Sequence, residues 1–111
     1  MAKDLEDLVK MDGVILAFEF TPDGTCTSYK NVTREMAAMI SQFCAAVTMN
    51  FNALANGFTI LSEQQWVPQK GWMYVGGNYS VIIGKGGYQG VFAKSDQVNV
   101  DEVFAALVDQ D

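Results

Sequence analysis

The run from Thr33 to about Gln64 is the only long stretch of this chain whose apolar residues keep a helical beat. Met36, Met39, Ile40, Phe43, Val47, Phe51, Leu54, Phe58 and Leu61 recur three or four apart, so they stack as one stripe. The residues on either side read as short strands joined by turn residues, or as short helices at the two ends. One dominant helix among strands implies a sheet with that helix across one face, and the bulky stripe is expected to be the side that packs. Thr33 or Asn31 suits the N-cap. Asn56-Gly57 would make a C-terminal stop, but the stripe continues in register beyond it and an interior glycine costs only ~1 kcal/mol. The helix is therefore expected to run on to about Gln64, and Pro68 bars it from going further.

A second face carries Ala37, Ser41, Ala45, Thr48 and Asn52, all small and uncharged. No charged residue lies between Glu35 and Glu63, whereas a solvated helix face is ordinarily rich in lysine and glutamate. Either the helix is covered on both sides or its outer face meets another protein, and a chain this short has few elements for double cover. The small-residue face is thus expected to form an interface.

In chain order, Asp4 suits an N-cap, with Glu6 and Asp7 in the first turn of a short helix ending near Met11 to Gly13. Val14 to Phe20 is apolar on both alternations apart from Glu19, the pattern of an interior strand. Thr21-Pro22-Asp23-Gly24 is a tight turn into a polar strand, Thr25 to Lys30, expected at a sheet edge. After the long helix, Gly71 to Gly76, Tyr79 to Gly84 and Tyr88 to Lys94 are strands separated by glycine-bearing turns, which describes an antiparallel meander. Asn99 with Glu102 reads as a capping box before a last helix lined by Val103, Phe104, Leu107 and Val108. The whole, 1–111, reads as one α+β domain: a five-stranded antiparallel sheet in the order α-β-β-α-β-β-β-α. The long central helix lies on one face, and the two short terminal helices lie on the other.

This element order resembles the roadblock/dynein-light-chain family, a small profilin-like fold. The resemblance covers nearly the whole chain. It rests on Leu5-Glu6-Asp7-Leu8-Val9 leading to Gly13-Val14-Ile15-Leu16-Ala17-Phe18, on Pro22-Asp23-Gly24, and on Glu35-Met36-Ala37-Ala38-Met39. The last hairpin running into Asn99 completes it. Trp66-Val67-Pro68 and Gly71-Trp72 further resemble an uncharacterised prokaryotic branch of that superfamily. The resemblance implies a non-catalytic homodimer paired through the long helix and the edge strand after it. It also implies a regulatory platform for a small Ras-like GTPase or another cytoplasmic partner. With the small-residue face, Trp66, Trp72, Met73 and Tyr74 are the expected interface residues. Pro68 donates no ladder hydrogen bond, so edge pairing is expected only beyond it.

Composition narrows the chemistry. The net charge of −6 and a single arginine, Arg34, argue against a nucleic-acid or anionic-membrane partner. No apolar run approaches the ~20 residues that span a bilayer, and the charged N-terminus has no apolar core of a signal peptide. A cytoplasmic protein is expected. Histidine is absent, removing the commonest general base and the commonest metal ligand. Cys26 and Cys44 fall in different elements and read as small apolar residues; a disulfide would need their Cα atoms within about 7 Å.

Gly84-Lys85-Gly86-Gly87-Tyr88-Gln89-Gly90 lacks the phosphate-loop spacing and joins two strands, so it reads as a hairpin turn. Asp23, Asp96, Asp101 and Glu102 are turn and cap carboxylates without a partner group for hydrolysis. No catalytic, cofactor or metal residue is expected, and the chain reads as a non-enzyme. The alternative is a small-ligand sensor with a pocket between sheet and helix, to which Trp66, Trp72 and Tyr74 would be equally suited.

Overall fold

Asp4 accepts the backbone N–H of Asp7 at 2.9 Å and caps the first helix, α1 (Leu5–Leu8), whose acidic residues Glu6 and Asp7 sit at the positive end of the dipole. The computed structural model describes residues 4–108; of the span 1–111 expected as one unit, residues 1–3 and 109–111 lie outside the described residues. Strand β1 (Val14–Phe20) pairs antiparallel with β2 (Cys26–Lys30). In the turn between them the Thr21 hydroxyl and the Thr25 N–H both bond the Asp23 carboxylate, holding its carboxyl below the usual aspartate value.

The Thr33 hydroxyl accepts the Met36 N–H at 3.2 Å and starts α2 (Arg34–Ser62), which runs through Gly57 and ends at Glu63 in the left-handed conformation. Strands β3 (Trp72–Val75), β4 (Tyr79–Gly84) and β5 (Gln89–Lys94) form the expected meander. The last helix, α3 (Val100–Val108), is capped by Asn99 Oδ1, which accepts the Glu102 N–H at 3.1 Å. The sheet order is β2-β1-β5-β4-β3, so β1 is interior and β2 and β3 are the two edges.

Two cores flank this sheet. On one face Leu5 and Leu8 of α1 and Val103 and Leu107 of α3 pack on Ala17, Ile82 and Val91. On the other, Ile40, Cys44 and Ala45 of α2 pack on Phe18, Phe20 and Ile83. The alternation Ala17/Phe18 and Ile82/Ile83 sends neighbours to opposite cores, as the two-residue period of a strand requires. No helix among the described residues is long and apolar enough to cross a membrane.

The long helix meets the sheet with the face opposite to the one expected. Ala37, Ser41, Ala45 and Thr48 are buried, while Met36, Met39, Phe43, Phe51, Leu54, Phe58 and Leu61 of the bulky stripe are exposed. Only Ile40 of that stripe is buried, and Val47 is half-buried. Backbone proximity is the reason. A Cβ on Gly87, whose φ is +106°, would stand 2.5 Å from Thr48 Cγ2, and one on Gly24 3.3 Å from Gln42 Cα. The helix rides so low over these two turns that only small side chains fit beneath it.

Candidate interaction surface

Helix α2 outruns the sheet. Its 29 residues span roughly 44 Å, whereas the longest strand, with 7 residues, spans roughly 24 Å. Its buried positions end at Thr48. The helix also lies off-centre, over β1 and β2. The apolar side chains Trp72, Tyr74, Val81 and Phe92 on the β3-β4-β5 half of that face are consequently left only partly covered.

Between this open half-sheet and the bulky flank of α2 lies an apolar groove of about 380 Å³, walled by Phe43, Val47 and Phe51 on the helix and by Trp72, Met73 and Tyr74 on the strand. The groove continues into a larger one of about 630 Å³ between the overhanging half of α2 and residues 65–72, with Phe51 and Trp72 common to both. Between Phe43 and Phe58 the stripe borders these grooves, and from Met36 to Leu61 it carries no charged residue.

Polar bonds hold the walls. The Trp72 indole N–H donates to the Thr48 hydroxyl at 2.8 Å, and that hydroxyl donates to the Gly87 carbonyl at 2.8 Å. Gln69 Nε2 reaches the Thr48 carbonyl at 3.3 Å and Asn52 Oδ1 at 2.9 Å. Trp66 packs against Phe58 with ring centroids 4.9 Å apart and planes tilted by 46°, and its indole N–H donates to the Ser62 hydroxyl at 3.0 Å. The chain after α2 is thereby folded back along the helix.

The expected interface residues divide accordingly. Ala37, Ser41, Ala45 and Thr48 are not on an outer face: they lie between helix and sheet, where no second chain reaches them. Asn52 is half-buried against Gln69. Trp66, Met73 and Tyr74 are exposed and Trp72 is half-buried beside the groove. Pro68 falls outside β3, which starts at Trp72, so the strand has no proline in its edge. One sequence signal marks the bulky stripe, Phe43 included, as the outer side: small residues on α2 facing turns that carry glycine.

The cysteines are free. Cys44 lies in the α2 core, where burial pushes its thiol up to about 12, and Cys26 is half-buried in β2.

A five-stranded antiparallel sheet with one long helix on one face and two short helices on the other is the roadblock-like fold, and solved structures carry it. A roadblock/LC7 domain from Streptomyces avermitilis superposes with a TM-score of 0.70 at 13% identity, over 98% of this chain and 93% of that one. Myxococcus xanthus MglB superposes with a TM-score of 0.58 at 13% identity, over 86% of this chain and 81% of that one. No curated protein matches the chain. Residues 4–109 match the model of the family described as "Uncharacterized conserved protein (DUF2173)", and the chain belongs to that family.

Proposed function

We propose that this protein is a non-catalytic, homodimeric interaction module of the cytoplasm, paired through the exposed stripe of α2 and the free edge of β3. The observation that carries this reading is the uncharged, apolar flank of α2 beside a half-sheet that its own helix leaves open. A second copy related by a two-fold axis would set its α2 alongside the first and its β3 against the first copy's β3, so each copy buries the same surface. Phe43 and Tyr74 are the large, strongly exposed side chains available to anchor the seam. This pairing keeps the seam assigned to the long helix and edge strand but moves it from the small-residue face to the bulky flank.

The dimer serves as a platform for a further protein; the class implied by the family resemblance is a small Ras-like GTPase. The pairing is tested with Phe43→Glu, which places a carboxylate in the seam without disturbing the intramolecular core. A loss of about 3 kcal/mol, roughly a hundredfold in dimer affinity, is expected. Light scattering should find a folded monomer, and an unchanged dimer would reject the seam.

A further inference from the structure

The larger groove has a composition that pairing of two copies does not account for. Its walls are apolar and aromatic: Phe51, Leu54 and Phe58 from α2 face Trp66, Pro68 and Trp72 from the returning segment. Those walls are set in place by bonds inside the chain. The Trp66 N–H donates to the Thr59 hydroxyl at 3.2 Å, Gln65 Nε2 to the Val67 carbonyl at 2.8 Å, and the Gly86 N–H to the Lys70 carbonyl at 3.2 Å. Both tryptophan indoles are already committed to hydroxyls of α2. What remains is one charge. Lys70 lines the groove, no carboxylate does, and the Lys70 ammonium has no ion pair among the described residues.

We infer that this groove binds a small amphipathic carboxylate, its apolar body along Phe51, Phe58 and the two tryptophans and its anion on Lys70. Three features point this way. A volume of about 630 Å³ falls in the range of small-molecule sites. Preformed walls lower the ordering cost of binding. Lys70 is the one charged residue lining the groove, and its positive charge selects the sign of the head group.

The chain reports on its own occupancy, because its two tryptophans both line this groove. Decanoate, decanol and decyltrimethylammonium are titrated into the full chain below their aggregation concentrations, following tryptophan emission and calorimetric heat. Decanoate should give a saturable change at one site per chain, about fivefold tighter than decanol, with the cation weakest. Lys70→Gln should abolish the preference for decanoate over decanol. Ala55→Trp, which fills the groove from the helix, should abolish binding while the particle mass stays the same.

Equal binding of all three probes, or decanoate affinity unchanged in Ala55→Trp, would overturn the site. So would dissociation of the dimer on saturation with decanoate, because the groove would then belong to the seam. A monomeric chain that binds decanoate with this selectivity would support the site and reject only the pairing proposed above.

Discussion

The Trp72 indole nitrogen and the Thr48 hydroxyl oxygen stand 2.8 Å apart, and this one bond ties the edge strand of the sheet to the middle of its long helix. Thr48 is fully buried, and its hydroxyl passes the connection on to the Gly87 carbonyl in the β4–β5 turn. Three separate parts of the chain therefore meet on one side chain. The groove between α2 and β3 keeps its width because this junction holds it.

Removing the hydroxyl tests that junction. Thr48→Val keeps the shape but leaves the Trp72 N–H and the Gly87 carbonyl without their partner, at an expected cost of about 1–3 kcal/mol. Urea denaturation measures it; a midpoint equal to that of the unmodified protein would show that the junction is not stabilising. Thr48→Glu should prevent folding outright, because the carboxylate would lie unpaired between helix and sheet.

How much of this was legible in the sequence divides at the long helix. The period of its apolar residues located α2, and the Thr33 cap located its start. The glycine-bearing turns located the meander and placed β3 after the helix. The inward face is where sequence and structure part, because bulk is not the mark of burial here. Close approach selects for small volume instead, and Ala37, Ser41, Ala45 and Thr48 are what fits over Gly24 and Gly87. The spacing of a helical stripe states that residues share a face, not which face the sheet will take. The overhang beyond Thr48 was likewise hidden, since it depends on strand length as much as on helix length.

Phe43 should now behave as a surface residue of the folded chain. Phe43→Ala is expected to change the unfolding free energy of a monomer by no more than about 0.5 kcal/mol. A loss of 3 kcal/mol or more, measured where the protein is monomeric, would return Phe43 to the core.

Helix α3 approaches β4 closely enough to make Gly84 indispensable. A Cβ there would stand 2.4 Å from Leu107 Cβ and 2.9 Å from the Leu107 carbonyl carbon. Gly84→Ala should destabilise the protein by about 1–3 kcal/mol, seen as a lower urea midpoint. The same substitution at Gly57, which has nothing within 4 Å, should stabilise by about 0.5–1 kcal/mol.

The cysteines predict a difference in reactivity and a pH dependence. With its thiol pushed up to about 12 by burial, Cys44 should resist a disulfide reagent at pH 8. Cys26, half-buried at the β2 edge, should react first. In the unfolded chain the Cys44 thiol ionises near its ordinary value of 9.0, whereas the folded protein keeps the proton. The unfolded state then binds fewer protons, so stability falls as pH rises from 9.0 toward about 12. Cys44→Ala should remove that portion of the slope in chemical denaturation.

Sedimentation equilibrium of the unmodified chain, from about 1 to 100 μM, tests whether two copies pair across α2 and β3. A particle of twice 12.2 kDa is expected over most of that range, shifting to the single-chain mass when Phe43 is replaced by Glu. A mass of 12.2 kDa for the unmodified chain at the highest concentration would contradict it.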